Sequence, residues 1–331
     1  MKAIALFSGG LDSQLAVKIM QKQNIEVIGM HFHNAFVGDI DDAHRAASML
    51  SIDLITLDFH QAFMPLLSNP PHGFGKNMNP CIDCHGLMLN IAGQHMKTVG
   101  ASFLVTGEVL NQRPKSQNRG ALQIVENISG FPGLIVRPLS AQLLEPTIPE
   151  INGWIQRQEL HAISGRSRKP QMELARQMQV VDYPSPAGGC LLTEPAFASR
   201  LKIYLLANPH ATFTQLNRLK KGRHFMCFAD WHVIIGRNKL ENENLISIAL
   251  PDDILLEVES HPGPIGLLES FGKKISADDP RLQEIAALVA GFSDARGLNQ
   301  VHIKIWSGQD EPMIVKTRPL LPVSIENVIQ F

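Results

Sequence analysis

The chain is poor in cysteine, with four in 331 residues, and it carries no apolar run of about 18 residues, the length a helix needs to cross a bilayer. A disulfide scaffold and a membrane span are therefore not what organises it. It has no excess of charge of either sign: Lys+Arg 30 against Asp+Glu 31 leaves a net charge of −1, so the whole-chain balance advertises no polyanionic partner. The first residues lack a signal-peptide pattern, since the short apolar run after Lys2 meets Gly9-Gly10 at once. A cytoplasmic, reducing setting is expected, in which Cys81, Cys84, Cys190 and Cys227 suit metal ligation or thiol chemistry better than disulfides. Internal repeats and low-complexity tracts are also missing. What is present is an ordinary folding composition, 44% hydrophobic and 18% charged, over a length that predicts two domains.

Ala3 to Phe7 reads as a short buried strand, followed by Ser8-Gly9-Gly10-Leu11-Asp12-Ser13 and a helix. Ile25 to His33 and Ile52 to Phe59 read as further strands, with Asp41 to Leu50 as the helix between them. Next come a helix over His85 to Gly100, a strand over Ser102 to Val109 and a strand over Gly133 to Leu139. Such alternation implies right-handed βαβ crossovers and a parallel sheet covered on both faces. Between Phe59 and Cys81 the prolines and glycines predict a long irregular loop, and Tyr183 to Cys190 predicts another. Ile148 to Leu160 and Lys169 to Val180 read as helices; beyond Arg200 the runs HFMCFADWHVIIG, DILLEVE and VHIKIW read as strands of an α+β module. The fold class expected is α/β, a doubly wound parallel sheet, with a second, smaller α+β domain: residues 1–197, then 198–331.

Strand, two glycines and a helix start make a phosphate cradle, because glycine lets backbone N–H groups approach an anion and the helix N-terminus adds favourable partial charge. Ser8 and Ser13 can donate to phosphate oxygens. The loop has neither the GK[ST] of a P-loop nor G-x-G-x-x-G. Cys81-x-x-Cys84 can clasp one metal centre, and Cys190 follows Gly188-Gly189. Three thiolates satisfy three irons of a [4Fe–4S] cluster and leave the fourth open. Other readings stand beside it: zinc on Cys81, Cys84, Cys190 and His85, a redox pair with persulfide on Cys190, and the haem pattern CxxCH, which an absent export signal disfavours. Cys227, within FMCFADW, reads as a core residue.

Ser-Gly-Gly-x-Asp-Ser in this context resembles the PP-loop ATP pyrophosphatase family (adenine nucleotide alpha hydrolase-like). With NPCIDCH, TGEVLNQRPKSQ, RPLSA, GRSRKPQMELA and AGGCLL it is similar to the tRNA thiolases related to 4-thiouridine synthetase, in particular the compact, iron–sulfur-dependent branch. The resemblance covers roughly residues 1–200. It implies ATP on Ser8, Gly9, Gly10, Asp12 and Ser13, with Asp12 helping to place Mg²⁺ and Met30 and His31 bordering adenine. Thr106, Gly107, Gln112, Arg113, Ser116 and Gln117 would be nucleotide or pyrophosphate contacts. Asp12 and Cys190 are the catalytic candidates, and Cys81, Cys84 and Cys190 the cluster ligands. The chain departs from the fuller synthetases in having no THUMP extension before the glycine loop and no C-terminal sulfur-relay domain, which leaves open how tRNA is held and where sulfur comes from.

Between Arg200 and Leu240 eight basic residues stand against a single acid, Asp230, the footprint of a phosphate-backbone surface. WHVIIGRNKLENENL and HPGPIGLL resemble the NFACT-R type of RNA-binding domain. RNA contacts are expected at Arg166, Arg168, Lys169, Lys220, Lys221, Arg223 and Arg237. The implied activity is ATP-dependent thiolation of a tRNA uridine, 4-thiouridine first, with a sulfur donor that is either sulfide or a cysteine-desulfurase-derived persulfide. No membrane partner is expected, and a homodimer is left open. Rivals are a PP-loop ligase acting on a small molecule and a non-catalytic RNA-binding protein.

Overall fold

The computed structural model describes residues 1–37, 40–184, 189–273, 275–276, 279–308, 311–325 and 328–331, and the middle of the expected Tyr183 to Cys190 loop, 185–188, lies outside them. The chain divides into two units, Met1–Thr193 and Glu194–Phe331. The domain boundary expected between 197 and 198 falls in the first turn of the helix Pro195–Ala207.

In the first unit β1 (Lys2–Leu6), α1 (Leu11–Lys22), β2 (Glu26–His33), α2 (Ile40–Leu50) and β3 (Leu54–Asp58) follow one another as expected. Next come α3 (His60–Ser68), α4 (Cys81–Val99), β4 (Phe103–Val105), α5 (Arg119–Ser129), β5 (Ile135–Val136), α6 (Ile148–Ile151) and α7 (Lys169–Gln177). The five strands are parallel in the order β3-β2-β1-β4-β5. The order reverses beside β1, so crossovers before and after it lie on opposite faces, and the C-terminal ends of β1 and β4 form the crevice where ligands of such sheets bind. The core packs Leu15, Ile19 and Met20 of α1 and Ala46 and Leu50 of α2 on Ala3, Ala5 and Val27.

Three expectations need correcting. The breaker-rich stretch after Phe59 is not wholly irregular: it forms α3 with Pro65 inside, held by Phe63 at 1% exposure. Helix α4 starts at Cys81, not His85, so Cys81 and Cys84 stand on its first turn and not on a loop. The helix read over Ile148 to Leu160 stops at Ile151, because Gly153 turns to φ +68° and only a 3₁₀ turn at Arg157–Glu159 follows. The fourth and fifth strands are also short, since the chain leaves the sheet at Thr106 and at Arg137.

The second unit carries α8 (Pro195–Ala207), α9 (Phe213–Arg218), β6 (Arg223–Cys227), β7 (Trp231–Ile235), α10 (Lys239–Ser247), β8 (Ile254–Val258), β9 (Gly266–Glu269), α11 (Pro280–Ala290), β10 (Val301–Trp306), β11 (Met313–Thr317) and β12 (Val328–Gln330). Its sheet runs β11-β10-β8-β9-β7-β6-β12 with antiparallel pairing. Leu282, Ile285 and Val289 of α11 close the core against it, and Cys227, with no solvent exposure and a thiol pushed up to about 12 by burial, is the core residue expected.

Arg218 corrects the charge reading. It is fully buried, its guanidinium donating to Asp253 Oδ2 at 2.5 Å and to the Ile248 carbonyl at 2.6 Å, with Glu269 Oε1 at 3.6 Å. Glu269 also accepts from Tyr204, Gln215 and His232. A lone buried charge would be costly, so the partners make one unit. Arg218→Ala should destabilise the second unit by about 3–5 kcal/mol in urea unfolding; an unchanged midpoint would contradict the burial.

Candidate active site

The cradle is built by contacts that only glycine allows. Gly9 lies at φ +74°, and a Cβ there would stand 2.9 Å from the Asp42 carbonyl oxygen; a Cβ on Gly107 would stand 2.6 Å from the backbone carbon of Asp12. Gly107 thus lets the exit of β4 lie against the first turn of α1. The loop is braced from within: Gly10 N–H donates to Ser8 Oγ at 3.3 Å, Ser13 Oγ to the Gly10 carbonyl at 2.8 Å, and Gln14 Nε2 to the Gly9 carbonyl at 2.6 Å.

Asp12 sits at the joint. Burial raises its pKa, and a hydrogen bond from Gln112 and the charges of Arg168 and Arg113 oppose that rise. Gln112 Nε2 donates to Oδ2 at 3.1 Å, while Oδ1 is buried without a partner. An orphaned carboxylate oxygen beside a glycine loop and a helix start is the hard donor that a Mg²⁺ ion would take. Ser116 Oγ is likewise buried and unpartnered. Gln117 is committed to the turn, its Oε1 accepting from Arg113 N–H at 3.1 Å, and Thr106 Oγ1 donates to Glu108 at 3.2 Å. Met30 has no exposure, and His31, 5% exposed, donates from Nδ1 to the Phe7 carbonyl at 3.0 Å.

Cys81, Cys84 and Cys190 lie close enough to act on one another's charge. Burial drives the Cys84 thiol well above its ordinary range, and the proximity of Cys190 and then of Cys81 drives it further. Asn79 Nδ2 donates to Cys81 Sγ at 3.2 Å. The segment bearing Cys190 is stitched down on two sides: Leu191 N–H donates to the Phe36 carbonyl at 2.8 Å, and Asn77 Nδ2 to the Thr193 carbonyl at 2.6 Å. Asp83, between the two cysteines of α4, fixes the preceding loop by accepting from the backbone N–H and the Nδ1 of His72 at 3.1 and 2.6 Å. The donor set is the soft one that zinc or an iron–sulfur cluster takes. Among the described residues no three His, Cys, Asp or Glu side chains stand arranged around one ion, so the thiols are gathered without forming a finished cage.

Sequence reading missed the ionic junction beneath them. Glu108 is buried, with His85 Nδ1 donating to Oε1 at 2.8 Å and Arg137 Nε to Oε2 at 3.0 Å; Arg137 Nη1 also reaches Glu126 Oε2 at 3.2 Å. Burial alone would raise the Glu108 pKa, but the Arg137 charge and the His85 hydrogen bond outweigh it and bring it to about 2. The Glu of Thr106-Gly107-Glu108 and the Arg of RPLSA were in view, but nothing in a linear pattern pairs residues 29 apart.

Of the residues expected on RNA, Arg168 turns inward, its charge acting on Asp12, while Arg166 and Lys169 are exposed. In the second unit Arg223 and Arg237 line an open groove of about 740 Å³ that also holds Lys239, His261 and Phe292. Arg237 is held by Glu241, and Lys239 lies 3.9 Å from Glu243, so the basic stretch is narrower than its count suggests. Lys221 is exposed and Lys220 half-buried.

The strand order and the glycine loop make the first unit a doubly wound, parallel α/β domain, and the second unit is mainly antiparallel. Residues 1–148 match the family model described as Thiamine biosynthesis protein (ThiI), and residues 222–328 match that of the NFACT protein RNA binding domain. The chain thus resembles the PP-loop tRNA thiolases. Among curated relatives, the tRNA-specific 2-thiouridylase MnmA of Marinobacter nauticus is 26% identical over 229 residues, 63% of this chain and 55% of that protein. The enzyme of the same name from Methylobacillus flagellatus is 23% identical over 314 residues, 86% and 83% of the two chains. The chain spans about half the length of the first of these. A solved 4-thiouridine synthetase in complex with RNA and ATP aligns with 19% identity and a TM-score of 0.37, over 61% of this chain and 49% of that one.

Because the Glu108 pKa is depressed, its contribution to stability is present above the ordinary value of 4.5 and is lost as pH falls from there through about 2. Glu108→Gln should therefore lower stability at pH 7 and flatten the acid limb of a urea-unfolding profile; an acid limb identical to that of the wild type would contradict the junction.

Proposed function

We propose that the protein is an ATP-dependent tRNA sulfurtransferase that adenylates a uridine carbonyl oxygen and replaces it by sulfur, with 4-thiouridine as the product. The observation that carries this reading is the position of Arg113, which acts on the charge of Asp12 and lies against the residue before Cys190. Arg113, next to the Gln112 that bonds Asp12, has its two terminal nitrogens 3.3 Å from where a Cβ on Gly189 would lie, beside Cys190.

In this reading Ser8, Gly9, Gly10 and Ser13 hold the ATP phosphates, with Gln112, Arg113, Ser116 and Gln117 facing them across the crevice. Met30 and His31 border the adenine, and Thr106 and Gly107 shape the crevice floor. Asp12 would hold Mg²⁺. The uridine carbonyl oxygen attacks the α-phosphorus, pyrophosphate leaves, and the base becomes an adenylate. Activation is needed because a carbonyl oxygen is a poor leaving group and AMP a good one. A sulfur nucleophile then displaces AMP. Cys81, Cys84 and Cys190 would hold a [4Fe–4S] cluster, which when bound supplies a soft open site for sulfide. Zinc on the same thiols with His85, or a persulfide on Cys190 loaded by a cysteine desulfurase, are the alternatives. Lys220, Lys221, Arg223 and Arg237, with Arg166 and Lys169, would contact tRNA phosphates, an attraction that weakens with salt. The RNA-binding domain match over residues 222–328 supports that part.

Protein purified without oxygen and given ATP, sulfide and unmodified tRNA should yield a thionucleotide in nuclease digests analysed by mass spectrometry. Pyrophosphate exchange that runs without tRNA, and no thionucleotide, would instead favour a small-molecule ligase.

A further inference from the structure

The cations around the cradle differ in what holds them. Lys115 Nζ donates to the His72 carbonyl at 2.9 Å, Arg119 to the Leu143 carbonyl at 2.6 Å, and Arg137 is consumed by Glu108 and Glu126. Arg168, whose charge acts on Asp12, has its Nε buried without a partner, whereas Arg113 is exposed on a fixed backbone. Its backbone is fixed twice over, its N–H donating to Gln117 Oε1 at 3.1 Å and its carbonyl accepting from Gln117 N–H at 2.9 Å. Its side chain is exposed, and among the described residues no carboxylate or carbonyl holds the guanidinium. A cation on a rigid base with an uncommitted head is pre-organised for an anion supplied from outside.

Two neighbours say where that anion lies. On one side Arg113 acts on the charge of Asp12, in the first turn of α1. On the other it lies against Gly189, where a Cβ would come within 3.3 Å of both terminal nitrogens. Cys190 follows directly, and its own neighbour is Cys84. The guanidinium therefore reaches from the first turn of α1 to the segment that carries Cys190.

We infer that Arg113 is a catalytic residue of the sulfur-transfer step: it holds the phosphate of the adenylated base and takes up the charge of departing AMP. The inference rests on the sulfurtransferase reading and goes beyond nucleotide binding. In that step hydrosulfide attacks the adenylated ring carbon. The C–S bond forms, the C–O bond breaks, and its electron pair leaves on the AMP oxygen. The S–H proton passes to the ring nitrogen that lost its proton on adenylation. The negative charge grows on a phosphate oxygen, the group a planar guanidinium binds in fork geometry. Gly189 is the spacing residue, since a Cβ there would stand 3.3 Å from both terminal nitrogens and make the guanidinium give by a few tenths of an ångström.

Single turnovers at saturating ATP labelled in the α-phosphate, with tRNA and sulfide, test this. Arg113→Ala should accumulate label on tRNA while the thionucleotide forms on the order of 100-fold more slowly. Added guanidinium ion should restore part of the rate, Arg113→Lys should lie between, and Gly189→Ala should show the same pattern more weakly. A raised KM for ATP with the wild-type rate at saturation, or an equal loss of both steps that guanidinium does not rescue, overturns the inference and leaves the function standing. Wild-type protein that neither labels nor thiolates tRNA overturns the function and the inference together.

Discussion

The arrangement of the first unit depends on one buried carboxylate. Glu108 lies just past the C-terminal end of β4 and gathers His85 from the start of the second turn of α4, Arg137 from the end of β5 and Thr106 from its own strand exit. A carboxylate without solvent is tolerable only when its charge is met by a cation and its lone pairs by donors. That requirement fixes how far the head of α4, with Cys81 and Cys84, stands from the sheet.

Around that anchor the site is assembled by close approach. Gly9 and Gly107 bring backbone to backbone where any side chain would collide, and Asp12 is thereby set between the loop after β1 and the turn after β4. The Cys190 segment is then tied to Phe36 and to Asn77. Pieces far apart in the chain share one edge of the sheet because a doubly wound order puts all strand ends of one sense on that edge.

How much of this could be read from the sequence follows from the range of each interaction. The first strand, the glycine loop and its helix rest on neighbours in the chain, and they stand where periodicity places them. The start of α4 was missed because Pro80 caps it without a side-chain hydrogen bond, so no Ser, Thr or Asp marks its beginning. Helix α3 was missed because Pro65 reads as a breaker, whereas Phe63 and Leu67 bury its apolar side. In the sequence Arg218 reads as surface charge because its partners Asp253 and Glu269 are 35 and more residues away. Glu108 belongs to the same class: its meaning lies in what the fold brings to it, which no local pattern carries.

The central claim is that Cys190 folds back onto the CxxC of α4. Mild oxidation of the full chain without metal, followed by peptide mapping under non-reducing conditions, measures it directly. The account predicts a peptide joining Cys190 to Cys84 or Cys81 as the main linked species, with Cys227 left reduced. A Cys81 to Cys84 bridge alone, with Cys190 as reactive as in the unfolded chain, would contradict it.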